Sequence, residues 1–395
     1  MYKGMYTYPW DLADEGVGTA TDRMRDCGIN TVTLAASYHA GKFLRPHAPS
    51  GRVYFPEDGT VYVRPRMDRY GAIKPIQSRL ATERDTFAEL KAEAPDMGRV
   101  AWTVCLHNTP LGMRHPEFTV RNCYGDSYVY SLCPAYEEVR RYVVTLCVDM
   151  AERYELDGLA LETPGFLPFD HGFHHEFFLV PMNRWAGWLL GLCFSEGTIA
   201  AAEARGIDAE RLRWQACAAL DGFFARPEPV PDHIAAEWWI ADLIADPEWA
   251  VFLSWRCQLV ADLVAEVRAA LPRETKLAVI PTVQRPTAAA WSEGTDLRLL
   301  AEVADTLEVP AYEASADAVA LDAGDVRRRA GADARITYIL RPAHPDLANG
   351  TETVAAVRAL RESGLSGIAF YNYGHIALSA LEQVRDALAV LEEAS

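Results

Sequence analysis

Asp157-Gly158-Leu159-Ala160-Leu161-Glu162-Thr163-Pro164-Gly165-Phe166 is an apolar run that ends on a single acid and is stopped at once by a Pro-Gly turn. It reads as a buried strand that delivers one carboxylate to its carboxyl end. An amphipathic helical pattern over 137–154 precedes it, and a histidine-dense run, Asp170-His171-Gly172-Phe173-His174-His175-Glu176, follows. Helix, strand and polar loop therefore succeed one another within forty residues, and the fold depends on whether that order repeats.

It does repeat. Short apolar, β-rich runs fall at 5–8, 31–36, 100–106, 158–161, 276–280, 306–309, 335–340 and 367–370, with helical patterns between them, among them 16–27, 82–94, 249–271 and 379–391. Parallel strands covered on both faces read as continuous apolar runs, whereas half-solvated antiparallel ones alternate. Eight such strands, each followed by a helix, match the (β/α)8 TIM barrel, an α/β fold, here as a single domain over 1–395. Gly28 and Gly364 stand where helices should be capped before the next strand. Long loops are expected at 44–80, after the second strand, and at 109–134, after the third. A tryptophan-rich helical insertion is expected at 163–248, after the fourth, with one member of Trp185/Trp188 and one of Trp238/Trp239 facing inward. A doubly wound sheet is the competing arrangement, but no glycine-rich phosphate loop follows the first strand, and no cofactor is expected.

The chain has 395 residues, half of them hydrophobic, and a formal charge of −17. That sign, with no run of Lys and Arg, argues against a nucleic-acid surface. No apolar stretch has the length of a membrane span, and the amino terminus lacks the apolar segment of a signal peptide. The eight cysteines show no C-x-x-C pair. They read as reduced, buried thiols of a cytoplasmic protein. Exposed aromatics in the insertion would suit a homodimer.

In a barrel of this kind active sites lie at the carboxyl ends of the strands. Those ends carry Trp10, then Tyr38, His39 and Lys42, then His107 and Asn108, then Glu162. Further on come Tyr312 and Glu313, Arg341, and Tyr371 and Asn372, while the loops contribute Arg121, His171 and His174. Aromatic faces stack on sugar rings, and His, Asn, Lys and Arg take up hydroxyls, so this set suits a small carbohydrate or glycoside substrate. Glu162 and Glu313 are the candidate catalytic carboxylates. Glu308, Asp170 and Glu176 are the reserves for the second position.

The strand-end Glu162 of Asp157-Gly158-Leu159-Ala160-Leu161-Glu162, in an eight-unit barrel with aromatic and His/Asn strand ends, resembles the broad superfamily of TIM-barrel glycoside hydrolases. The resemblance implies a glycosidase with a catalytic carboxylate on the fourth strand and a second on the sixth or seventh. Leu161 precedes Glu162, so the Asn-Glu pair of one large clan is absent. The seventh strand ends in Arg341, which points to a fourth-plus-sixth arrangement such as α-galactosidase-like and α-glucosidase-like enzymes use; those usually carry Asp where this chain has Glu162. Two other readings stand beside it. The first is a metal-dependent barrel hydrolase, isomerase or aldolase using the 171–176 cluster, although its spacing matches no zinc signature and no metal is expected. The second is a carbohydrate-binding barrel without chemistry.

Overall fold

The computed structural model describes residues 1–170, 173 and 175–392. Eight parallel strands close into a barrel: β1 (Tyr2–Thr7), β2 (Thr31–Tyr38), β3 (Gly98–Val104), β4 (Gly158–Glu162), β5 (Lys276–Val279), β6 (Thr306–Pro310), β7 (Ile336–Leu340) and β8 (Gly367–Phe370). Each pairs with its neighbours in sequence, and β8 returns to β1, which also pairs with β2. The expected (β/α)8 architecture is present.

Strand parity separates two apolar layers. Outward residues such as Met5, Leu34, Cys105, Leu161, Val279, Leu307 and Phe370 pack beneath the helices in one large core. Inward residues form a second, aromatic cluster containing Tyr6, Ala35, Trp102, Ile280, Ile339 and Ala369. Small side chains at inward positions make room for Tyr6 and Trp102, the largest inward groups. Glu162 shares the parity of Ala160, which lies level with Trp102 on β3, so its carboxylate points to the axis.

The loops are more ordered than their composition suggests. Within 44–80, Thr60–Val61 adds antiparallel to Ser37 and Tyr38 of β2, and Ile76–Gln77 extends that edge. Within 109–134, a hairpin of Thr119–Arg121 and Ser127–Leu132 follows the short helix Thr109–Arg114. The helix expected at 82–94 is broken into Arg79–Glu83 and Thr86–Glu93, because the Asp85 side chain accepts from Ala88 N–H and starts a new helix.

After β4 come four helices, Arg184–Gly191, Glu196–Glu203, Ala209–Ala225 and Asp232–Ala245, with a core of their own around Trp185, Leu212, Trp239 and Phe252. Trp185 and Trp239 are buried, whereas Trp238 and Trp214 are exposed. The helix Glu248–Ala270 then packs between Glu137–Tyr154 and Leu297–Val303, in the outer ring. Among the described residues no helix is long and apolar enough to cross a membrane.

Candidate active site

Glu162 ends β4 beside the aromatic cluster inside the barrel. The Trp102 indole N–H donates to its carboxylate across the β3–β4 pair. Trp102 is itself fixed edge-on against Tyr6 (5.1 Å), Tyr38 (5.0 Å) and Tyr371 (5.8 Å). The Tyr8 and Tyr371 hydroxyls are 2.8 Å apart. Desolvation by burial pushes the Glu162 carboxyl up to about 7, although the indole hydrogen bond pulls the other way. The same burial, with the Glu162 charge as a smaller contribution, raises the Tyr38, Tyr312 and Tyr371 phenols. They therefore remain hydrogen-bond donors at neutral pH.

A second acid lies within the electrostatic reach of Glu162. Glu293 ends the short 3-10 helix Thr287–Glu293 in the loop after β5, and Gly294 closes it with φ 71°, a left-handed conformation suited to glycine. Phe166 N–H donates to the Glu293 carbonyl at 2.9 Å, so the turn leaving Glu162 is clasped to the residue that carries the second carboxylate. Gly165 permits this approach: a Cβ there would lie 2.3 Å from that carbonyl oxygen. Thr163, between Glu162 and the Pro-Gly turn, holds φ 50°, which a β-branched residue seldom adopts. Burial raises the Glu293 carboxyl to about 8, against the pull of the Thr282 hydroxyl (2.5 Å) and the Val283 N–H, and the Glu162 charge adds to the rise. The Glu162 charge acts on the Glu293 carboxyl, so the two titrations are coupled.

Glu313 follows β6, 3.8 Å from Arg285; burial raises its carboxyl, helped by the Asp322 and Asp346 charges and opposed by Arg285. Arg285 and Arg341 both lie against Tyr312, their guanidinium carbons 5.5 and 4.2 Å from the ring centre, and Arg341 also pairs with Asp346 at 3.3 Å. Glu308 is buried inside the barrel toward its amino-terminal end, accepts from the Tyr2 hydroxyl at 2.9 Å, and lines a cavity of about 370 Å³ at the bottom of the barrel.

Several expected substrate contacts take up other work. Asn108 is buried and uses its whole amide internally, accepting from Leu111 N–H (3.0 Å) and donating to the Gly59 carbonyl (2.9 Å). Arg121 donates to the Gly125 and Pro116 carbonyls and braces the hairpin. Trp10 lies in an aromatic stack with Tyr8 (4.3 Å) and Tyr54 (4.7 Å), 1% exposed and so out of reach of a ligand. Asn372 is fully buried and its side-chain oxygen accepts from Gly374 N–H. Lys42 is exposed on the loop after β2. Tyr312, Tyr371 and Arg341 lie against one another, Tyr38 packs on Trp102, and His39 stacks on both Tyr38 (4.3 Å) and His107 (4.2 Å). His171 and His174 lie outside the described residues. Among the described residues no group of three or more His, Cys, Asp or Glu is placed to hold a metal ion.

Sequence reasoning missed Glu293, Trp102 and His375. His375, after β8, stacks near Tyr8 and Phe43, and burial lowers its imidazole to about 4, so it is neutral at working pH. Glu293 does not end a strand; the available signal was an acid directly before a capping glycine in Ala290-Trp291-Ser292-Glu293-Gly294. Trp102 was legible as the one large aromatic at an inward position of the third run.

Protein-family models and curated proteins give no match to the sequence. Solved structures do match in three dimensions. The glycoside hydrolase domain of PgaB (BpsB) from Bordetella bronchiseptica aligns over 98% of this chain and 98% of its own, with a TM-score of 0.61 and 16% identity. The β-galactosidase of the psychrophilic Marinomonas ef1 aligns over 99% of this chain and 59% of its own, with a TM-score of 0.58 and 13% identity. At these identities the likeness establishes architecture, and the chain has the (β/α)8 fold found in these glycoside hydrolases.

Proposed function

We propose that the chain is a glycoside hydrolase that cleaves a small glycoside, with Glu162 and Glu293 as its pair of carboxyls. The observation that carries this reading is a carboxylate at the inward end of β4, bonded to the Trp102 indole among aromatic side chains, with the turn that leaves it clasped to Glu293. Glycosidic cleavage needs one carboxyl protonated, to donate to the departing oxygen, and one ionised, to act at the anomeric carbon directly or through a water. One of Glu162 and Glu293 donates the proton and the other acts as the carboxylate. Tyr38, Tyr312 and Tyr371 offer ring faces and phenol donors to the sugar, and Arg341 adds a fixed cation beside Tyr312. Glu313 serves to hold Arg285 at the rim.

The test is release of aryl leaving groups and reducing sugar from a panel of aryl glycosides and short oligosaccharides. Wild type turns over at least one of them, with a chelator present or absent, and Glu162→Gln binds that glycoside with turnover lower by orders of magnitude. Turnover lost to chelator and restored by zinc or manganese would move the chemistry to a metal. Sugar binding without cleavage of any panel member would leave a binding barrel.

A further inference from the structure

The hairpin after β3 and the helical insertion meet along a seam that carries four of the chain's cysteines. Cys133 follows the hairpin's second strand and Cys193 follows the helix Arg184–Gly191; their sulfurs are 3.7 Å apart and both residues are fully buried. Ser195 and Thr198 hydroxyls surround the two sulfurs at 3.1 to 3.6 Å. At the other end of the seam the Cys217 thiol donates to the Cys123 carbonyl at 3.1 Å. Phe194 N–H donates to the Arg121 carbonyl at 2.7 Å, so the backbones on each side of the Cys133–Cys193 contact are already in register.

A buried cation lies near the pair. Arg256, on the helix Glu248–Ala270, is fully buried with its guanidinium carbon 4.3 Å above the Phe166 ring. Its only hydrogen bond among the described residues goes to the Ser292 carbonyl, its Nε and Nη1 atoms have no partner there, and no carboxylate there pairs with it. With no anion paired to it among the described residues, burial lowers its guanidinium from the usual arginine range.

We propose that Cys133 and Cys193 are a disulfide-forming pair, closed by exchange with a small-molecule disulfide as the chain folds, and that the bond locks the β3 hairpin to the insertion. The Cys193 thiolate attacks one sulfur of an oxidant such as glutathione disulfide, whose second sulfur leaves as a thiolate. Cys133 then gives its proton to that leaving thiolate and attacks the Cys193 sulfur of the mixed disulfide, and the second glutathione departs as a thiolate that is protonated by solvent. Two electrons pass to the oxidant, and one S–S bond replaces another. Closing 3.7 Å to the roughly 2.0 Å of a disulfide moves each sulfur by roughly 0.8 Å, within reach of side-chain rotation. Because both sulfurs are buried in the folded chain, the exchange belongs to the stage before the seam shuts. The bond braces the site: Cys133 and Cys193 pack in one cluster with Phe166 and Leu167, just beyond the turn that follows Glu162.

The experiment refolds the full chain from the reduced, unfolded state in a glutathione/glutathione disulfide buffer, alkylates the remaining thiols under denaturing conditions, and maps peptides without reduction. A peptide joining Cys133 to Cys193, lighter by two hydrogens than its parts, is expected. The loop closed spans sixty residues, so the oxidised protein should melt about 5 °C above the same sample held in a phosphine reductant. Cys193→Ser, which leaves Cys123 and Cys217 in place, should lose both the peptide and most of that shift. Full alkylation of Cys133 and Cys193 after refolding, or either one joined to a different cysteine, would overturn the proposal. Should Cys193→Ser fail to fold, the wild-type map and the wild-type melts with and without reductant decide it.

Discussion

Replacing Trp102 with phenylalanine removes one indole N–H and keeps an aromatic ring among Tyr6, Tyr38 and Tyr371. Among the described residues the lost hydrogen bond is the one contact that opposes burial in setting the Glu162 pKa. Hydrogen bonds to a charged group contribute about 1.5–3 kcal/mol, and a carbonyl of the neutral acid retains part of that, so the difference between the two forms is of order 1.4 kcal/mol. That is about one pKa unit, which carries Glu162 from about 7 toward roughly 8. If Glu162 acts as the carboxylate, the acidic limb of kcat/KM against pH follows it upward. Carbon NMR of labelled glutamate carboxyls reads the same titration without substrate. The smaller ring also leaves space in the barrel and costs about 1–3 kcal/mol of stability, so melting is followed in parallel. A folded Trp102→Phe protein whose acidic limb and Glu162 titration both stay at the wild-type position would refute the reasoning.

Gly165→Ala places a Cβ 2.3 Å from the Glu293 carbonyl oxygen, forces the two acid-bearing turns apart, and should lower kcat/KM by about tenfold or more while the barrel still melts cooperatively; unchanged kcat/KM would show that the clasp does not position the pair. Glu308 is raised from 4.5 to about 7 in the folded chain, so its contribution to stability is present below about pH 4.5 and is lost as pH rises through 7. Glu308→Gln should therefore stabilise the protein by roughly 3 kcal/mol at about pH 8 and leave it nearly unchanged at about pH 4, read by urea unfolding at each pH; equal effects at both would contradict the assignment. Asn108→Ala removes a helix cap and a bond to the Gly59 carbonyl, so about 1–2 kcal/mol of stability is lost with KM unmoved. A raised KM without loss of stability would restore Asn108 to the substrate site.

The barrel was legible because its signal is repeated and local. Each strand must be apolar on both faces, and the run ending at Glu162 shows the pattern as plainly as the run at 367–370. Glu162 was legible for a related reason: an acid can end such a strand only at the mouth, and parity with Ala160 aims it inward. Glu293, the proposed second carboxylate, was not, because it comes from a loop and ends no strand. Its placement depends on a contact between Gly165 and the Glu293 carbonyl, two segments more than a hundred residues apart, which no local pattern records. Glu313 offered the stronger local signal, yet Arg285, from the loop after β5, pairs with it at the rim. Asn108 and Arg121 sit at strand ends and loops where polar side chains also close turns, and composition alone does not separate a cap from a contact. The thiol pair illustrates the same limit: Cys133 and Cys193 meet only once the insertion has folded back on the hairpin.

The account rests on Glu162 and Glu293 working as one unit, and a double-mutant comparison on a single hydrolysed glycoside tests that most directly. Residues that share one step lose little more together than apart. Glu162→Gln, Glu293→Gln and the double variant are compared by kcat/KM, with each shown to melt cooperatively. The prediction is a large loss in each single variant and a double variant within about tenfold of the slower one. Losses that multiply, or a Glu293→Gln enzyme at wild-type rate beside an inactive Glu313→Gln, would contradict it.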